Sequence, residues 1–369
     1  MNGMKIARGA GAFLLMLLVC CARAEAPDID LSQAQAVVDD ASAGVNLSEI
    51  LRSAMNGEIS WDADDILNLI TARIRSAVSE AFPSLAAVAA PLLLWALVRA
   101  LLPGKGEGRE KAAGYACVAA CALMLMRMFA GVYQSVLTAV ERLSGLTDAI
   151  VPALVTMLTL TGGTRASALI TPMGALASRL SALAVQKCAL PLCTAGACVA
   201  VADSMGGLKL KRLNGFVKTL LKWVLTSSVS IYLALMAMGG LVGGVYDGTA
   251  LKSAKYAADS LLPVVGGKVA GMMDSITASL ALLRNGVGLA GYAALGAVCV
   301  PPLIRCAVTA LMCRFLAAAS EPVGGERMSL LIDAFADALG LLAAVVASSA
   351  AFLVILIGAA LGMGMRIAG

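Results

Sequence analysis

The stretch Asp148-Ala-Ile-Val-Pro152 returns 111 residues later as Asp259-Ser-Leu-Leu-Pro263. At the same offset, Cys188-Ala-Leu-Pro-Leu192 returns as Cys299-Val-Pro-Pro-Leu303. A shorter repeated motif precedes each copy: Gly131-Val-Tyr133 lies before Asp148, and Gly244-Val-Tyr246 lies before Asp259. Landmarks that recur in the same order at nearly constant spacing indicate an internal repeat. We therefore predict that the body of the protein is a duplicated unit.

The sequence around both copies is strongly apolar. Hydrophobic residues make up 60% of the chain and charged residues 14%, with a mean hydropathy of +0.88. A soluble domain has roughly 45–50% apolar and about 25% charged residues. The composition predicts an all-α polytopic membrane protein. Duplicated apolar units of this kind build many transporter-like membrane proteins.

The N-terminus has the features of a secretory signal. Lys5 and Arg8 precede an apolar stretch from Ala10 to Cys21, and Ala22-Arg-Ala24 supplies small residues for cleavage. The apolar stretch is short for a permanent membrane helix. We predict a signal peptide over residues 1–24, with an uncleaved anchor as the alternative.

An acidic segment follows over residues 25–82, which we predict to be an exported helical region. It contains 11 acidic residues up to Glu80, and its second half has apolar residues at helical spacing: Ile66, Leu69, Ile70 and Ile74. It is either a docking surface for partners in the outer compartment or a solvated leader. It contains no cysteine, so we expect no disulfide framework there.

Residues 83–111 are predicted to form the first membrane span and a cytoplasmic loop. The loop carries Lys105, Arg109 and Lys111, and positive loops face the cytoplasm. A cytoplasmic loop after the first span places the N-terminus on the other side of the membrane, which agrees with its export by the signal. We therefore expect a multi-pass protein of the cell membrane whose mature N-terminus is extracytoplasmic.

The rest of the chain divides into membrane repeat 1 with a basic helix (112–222), membrane repeat 2 (223–338) and a closing membrane helix (339–369). We predict about 7–10 membrane helices in all. Both repeats follow a basic cytoplasmic loop, which predicts parallel copies rather than inverted ones. The helix candidates are 113–135, 149–163, 166–186 and 188–206 in repeat 1, then 223–245, 286–304 and 305–319, and last 339–365.

The strongest basic cluster lies between the repeats, at 208–222. A run of apolar residues accompanies the charges, which is typical of an amphipathic helix at a membrane surface. We predict that this segment contacts a cytoplasmic partner or anionic lipid. The charged residues are Lys209, Lys211, Arg212, Lys218 and Lys222.

Residues that could carry out catalysis are few. The chain has no histidine, which removes the commonest general base and zinc ligand. It has no phosphate-binding loop and no serine or cysteine nucleophile with a plausible partner. We predict a non-enzymatic protein without cofactor, metal or nucleic acid. The cysteines in the apolar helices are interpreted as small packing residues.

Charges inside apolar spans suggest function, since they are costly in lipid. Arg127 and Arg179 either line a polar conduit or extend toward the interface. The repeated Asp-x-x-x-Pro, Asp148 with Pro152 and Asp259 with Pro263, either starts a helix or forms a polar site at the repeat interface.

Several longer motifs resemble the stage III sporulation protein AE family of endospore-forming bacteria. They are Gly243-Gly-Val-Tyr-Asp-Gly-Thr-Ala-Leu-Lys-Ser-Ala-Lys-Tyr256, Ala257-Ala-Asp-Ser-Leu-Leu-Pro-Val-Val-Gly-Gly267, Leu283-Arg-Asn-Gly-Val-Gly-Leu289 and Arg212-Leu-Asn-Gly-Phe-Val-Lys218.

The resemblance implies a subunit of a channel- or secretion-like assembly in the mother-cell membrane around the forespore. The implied partners are other stage III sporulation membrane proteins and a cytoplasmic secretion-type ATPase. Gly358-Ala-Ala-Leu-Gly362 and similar small-residue runs allow close helix packing and self-association. The alternative is a self-sufficient secondary transporter with its substrate site between the two repeats.

Overall fold

The computed structural model describes residues 32–40, 63–101, 107–160, 164–205, 210, 212–235, 266–324 and 326–368. Every secondary-structure element within these ranges is a helix. In chain order they are α1 (Ser32–Asp40), α2 (Ala63–Leu101), α3 (Glu107–Leu160), α4 (Thr164–Leu180), a π-helical segment (Ser181–Ala189), α5 (Leu190–Met205), α6 (212–235), α7 (Gly266–Gly324) and α8 (Glu326–Ala368).

Five stretches of the described residues are long and apolar enough to cross a membrane. They are Thr71–Val98, Ala112–Thr156, Ile170–Met205, Gly286–Pro322 and Arg327–Ala360. The predicted class, an all-α polytopic membrane protein, is confirmed at this level. Within the described residues, these five stretches are longer than the membrane helices that the sequence predicted, and several predicted helices merge into one.

The first difference is in repeat 1, where the predicted helices 113–135 and 149–163 form a single helix, α3. The polar residues between them, such as Glu141 and Arg142, resemble a loop by hydropathy alone. One face of α3 nevertheless stays apolar, with a buried residue at every third or fourth position. Such a stripe stabilises a helix through packing whatever the average polarity. The stripe consists of Val136, Val140, Leu143, Thr147, Ile150, Leu154 and Leu158.

The second difference is that the predicted helices 166–186 and 188–206 are joined through the π-helical segment. There the Leu190 N–H bonds to the carbonyl of Val185, five residues back. Pro191, which follows, has no N–H and would clash with the carbonyl four residues before it. The wider π spacing accommodates this proline without ending the helix. The four crossings predicted for this repeat are therefore two long helical stretches.

The remaining boundaries also shift because helices run through them. The predicted boundary at 82/83 lies inside α2, and the predicted break at 304/305 lies inside α7. α8 begins at Glu326, before the predicted start at 339. The predicted interfacial segment 208–222 is, from residue 212, the first part of α6, and its Leu221 is fully buried.

The core is built around α8. This helix packs along α7 for most of its length and also contacts α3, α4 and α5. Phe335 lies edge-on to Phe129 of α3 at 6.0 Å, and Phe352 lies edge-on to Tyr232 of α6 at 5.4 Å. These aromatic pairs tie the central helix to two of its neighbours.

The helix directions follow from contacts near the helix starts. Arg327, at the start of α8, donates to the hydroxyl of Tyr115 near the start of α3 (3.4 Å). Lys218, near the start of α6, contacts Asp337 in the first third of α8. The helices α3, α6 and α8 therefore begin at the same end of the bundle, which we call the basic end.

The duplication stays a prediction. Its landmarks 244–246 and 259–263 lie outside the described residues. Both cysteine–proline landmarks lie inside helices, Cys188–Leu192 at the junction with α5 and Cys299–Leu303 within α7. The opening helices of the two proposed copies, α3 and α6, run in the same direction.

Candidate functional site

A polar groove lies between α2, α3 and α7. It comprises two adjoining cavities of about 420 and 360 Å³, which share Ala77, Glu80, Gly131 and Arg305 as lining residues. Helical spacing brings polar side chains to the groove from all three walls. Ser76 and Glu80 are four residues apart on α2, Arg305 and Thr309 four apart on α7, and Ser135 and Thr138 three apart on α3.

Arg305 connects the three walls. Its Nη1 donates to Ser135 Oγ at 2.8 Å and lies 3.5 Å from Glu80 Oε2. Ser76 Oγ in turn donates to Glu80 Oε1 at 3.4 Å. The side chains of Arg305 and Glu80 are 38% and 53% exposed, so they hold the walls together while remaining accessible.

Two prolines of α7 leave backbone acceptors beside the larger cavity. Pro301 and Pro302 have no N–H, so the carbonyls of Ala297 and Val298 lack their usual helical donors. All four residues line the cavity. Helical backbone of this kind is tolerated at membrane depth where it faces a polar cavity.

The short helix α1 is attached beside the larger cavity. Arg142 of α3 lines the larger cavity, and its Nε donates to Asp40 Oδ2 at 2.9 Å. Ala34 and Val38 of α1 are buried against the bundle. This N-terminal helix is thus attached to the body by both an ion pair and apolar contacts.

Arg127 lines the smaller cavity together with Met124 and Met128. Within the described part of the chain, its guanidinium makes no hydrogen bond or ion pair. Of the charged residues singled out from the sequence, Arg127 is therefore the one that the structure places in a polar groove.

The structure does not bring the other repeat-interface candidates to this groove. Asp148 is exposed on α3, 21 residues or about 31 Å along the helix from Arg127. Pro152 lies deep inside α3, so the prediction that Asp148–Pro152 starts a helix is wrong: the stripe described above carries the helix past it. Arg179 is exposed in the last turn of α4. Asp259 and Pro263 lie outside the described residues.

A second charged cluster joins α6, α7 and α8. Lys218 Nζ donates to Asp337 Oδ2 at 2.7 Å, and Arg314 Nη2 lies 3.3 Å from Asp337 Oδ1. Lys218, predicted to contact a cytoplasmic partner or lipid, is therefore engaged inside the chain. Arg212 and Lys222 are exposed, whereas Lys209 and Lys211 lie outside the described residues.

The family model for stage III sporulation protein AE matches residues 45–364, most of the chain. The chain belongs to the stage III sporulation protein AE family. A relative of that name from Bacillus subtilis (strain 168) is 25% identical over 196 residues, covering 53% of this chain. The match spans about half (49%) of that relative's length. No solved structure matches the chain.

For this family member, the sequence reasoning missed most of the groove. Arg305 lies next to Pro301-Pro302 in an apolar stretch, and a charge beside helix prolines in such a stretch was the available signal. Glu80, Arg142 and Asp337 carried no signal, because each lies in a segment that was polar enough to appear solvated.

Six of the described cysteines are buried and have free thiols: Cys117, Cys121, Cys193, Cys299, Cys306 and Cys313. Within the ranges that the structure describes, no three histidine, cysteine or carboxylate side chains come together as metal ligands would.

Proposed function

We propose that this family member is a non-enzymatic membrane subunit of a sporulation assembly, a channel- or secretion-like complex linking mother cell and forespore. Family membership over most of the chain supports this proposal. So does the outer surface of the bundle, which presents large exposed apolar side chains to lipid or neighbouring subunits. Examples are Leu93 of α2, Trp223 of α6 and Phe315 of α7, which are 68%, 68% and 78% exposed.

The proposed orientation places the basic end in the cytoplasm and α1 on the opposite side. The connections before α3 and α6 carry Lys105 and Lys209, the start of α3 carries Arg109 and Lys111, and α8 opens with Arg327. An excess of Lys and Arg marks cytoplasmic loops. Exposed Arg212 and Lys222 are then available to a cytoplasmic secretion-type ATPase or to anionic lipid.

The experiment that tests this proposal is affinity purification of the tagged protein from sporulating cells in mild detergent, followed by mass spectrometry. We expect other stage III sporulation membrane proteins and an ATPase to co-elute. Charge reversal at Arg212 and Lys222 should release the ATPase, whereas reversal at Lys187, also exposed, should not. Recovery of the protein alone would contradict the proposal.

One observation favours the alternative, a secondary transporter. The polar groove lies between α3 of proposed repeat 1 and α7 of proposed repeat 2, where such a site is expected. A transporter would lose function when Arg127 is replaced, although its complexes stay intact. Sporulation efficiency and co-elution, measured together on the Arg127→Gln variant, separate the two functions.

A further inference from the structure

The polar groove holds more positive than negative charge. Arg127, Arg142 and Arg305 line it, whereas Glu80 is the one acidic residue among the described lining residues. Asp40 offsets Arg142 from outside the lining. Glu80 pairs with Arg305 at 3.5 Å, a loose contact that is shared with Ser76.

Arg127 is a charged residue inside a membrane-spanning stretch. It lies on an apolar helix, its side chain is exposed, and its cavity neighbours on α3 include two methionines. Glu80 lines the same cavity, but within the described part of the chain Arg127 makes no hydrogen bond or ion pair. A guanidinium in such surroundings is costly unless an anion or water satisfies its donors. Arg305 lines the same cavity of about 360 Å³, which is large enough to hold a small anionic group.

We infer that the groove binds a phosphate group between Arg127 and Arg305. Two guanidinium forks can each donate a pair of hydrogen bonds to phosphate oxygens, a geometry that arginine matches and lysine does not. The phosphate could belong to a lipid headgroup or to a soluble phosphate anion. This inference concerns the isolated chain and holds whether or not the proposed assembly exists.

The surroundings of the smaller cavity suit a lipid headgroup. Phe82 is 64% exposed next to Pro83, which lines the cavity, and Met124 on the facing helix is 41% exposed. Apolar side chains at the rim of a charged cavity can contact acyl chains while the arginines hold the headgroup. A soluble phosphate would use the same arginines without that rim.

The test uses the full-length protein purified in a zwitterionic detergent. Native mass spectrometry measures retention of added phosphatidylglycerol against phosphatidylcholine, and thermal unfolding is followed with and without inorganic phosphate. We expect wild type to retain phosphatidylglycerol preferentially. Arg127→Gln and Arg305→Gln should each weaken its apparent affinity by about tenfold or more, because each change removes charge-assisted hydrogen bonds to the phosphate. Arg179→Gln, the matched control outside the groove, should not change it.

The Glu80→Gln variant should change the apparent affinity in the opposite direction. It removes the carboxylate that competes for Arg305, so the affinity should rise about two- to fivefold, which is the size of an exposed ion pair. A merely misfolded variant would not bind more tightly. If Arg127→Gln failed to fold, Arg305→Gln and Glu80→Gln would still decide the question.

The outcomes separate the two sources of phosphate. Lipid retention that depends on Arg127 supports a headgroup site. Stabilisation by inorganic phosphate that depends on Arg127, without lipid preference, supports a soluble-anion site. Absence of both effects in wild type, or an equal loss in Arg179→Gln, overturns the inference.

Discussion

At the scale of single residues, Gly174 of α4 is the described glycine that lies closest to a side chain of another helix. A Cβ at this position would lie 2.3 Å from Cγ2 of Val151 on α3, far inside van der Waals contact. Glycine lets two backbones approach closely, as small residues commonly do between membrane helices. Val151 precedes Pro152, so this contact fixes α4 against the proline-containing part of α3.

Gly174→Ala should therefore destabilise the protein by about 1–3 kcal/mol, because the added methyl group overpacks the contact. Thermal unfolding in detergent measures the change. Gly145→Ala is the matched control, since nothing lies within 4 Å of its Cβ position. Alanine there should be neutral or stabilise by up to about 1 kcal/mol through helix propensity.

The double variant Val151→Ala/Gly174→Ala tests whether the contact with Val151 causes the destabilisation by Gly174→Ala. Removing the valine methyl groups leaves space for the new Cβ, so the double variant should lose less stability than the sum of the two single changes. Additive losses would show that the cost at Gly174 arises somewhere other than at Val151.

At the scale of elements, Asp337 of α8 links three helices through ion pairs with Lys218 of α6 and Arg314 of α7. Asp337→Asn should leave Lys218 and Arg314 facing each other without a carboxylate, at a cost of about 1–2 kcal/mol. The control, Asp333→Asn, lies one turn earlier on α8, is exposed and has no ion pair in the described structure. Unfolding midpoints at low and high salt should differ more for wild type than for Asp337→Asn, because salt screens the ion pairs that Asp337 makes.

The helix α1 depends on its contact with the bundle. Nine residues are too few for a stable isolated helix, and fully buried Val38 is its main apolar anchor. Val38→Ser should abolish hydrogen-exchange protection across Ser32–Asp40, whereas Val37→Ser, at a half-buried position, should reduce it less. Protection that survives in Val38→Ser would mean that the Arg142–Asp40 pair alone holds the helix.

The helices show which features of this fold the sequence predicts and which it does not. Apolar content identified the class and most of the helices, because burial in lipid requires both apolar residues and helical hydrogen bonding. Helix ends were predicted less well. Averaged hydropathy predicts a loop over residues 136–148, yet buried residues recur there at every third or fourth position. The groove needed contacts between distant segments, such as Glu80 with Arg305, which no local pattern encodes.

At the scale of the whole molecule, the helix directions predict a topology. Reporter fusions at 104, 208 and 325 should all be cytoplasmic, since these positions lie next to the starts of α3, α6 and α8. A fusion at 162, between α3 and α4, should be extracytoplasmic. Fluorescent-protein and alkaline-phosphatase fusions measured at each position give opposite signals for the two sides. The same signal at 104 and 162 would overturn this arrangement.

The length of α3 has a consequence for the shape of the particle. Its 54 residues extend about 81 Å, whereas a bilayer's hydrocarbon layer is about 30 Å thick. A detergent micelle or nanodisc would therefore form a belt around less than half of this helix. Beyond the belt, the buried stripe is shielded by neighbouring helices instead of acyl chains. In an electron-microscopy map, the bundle should project from the belt as a rod of protein density tall enough to guide image alignment.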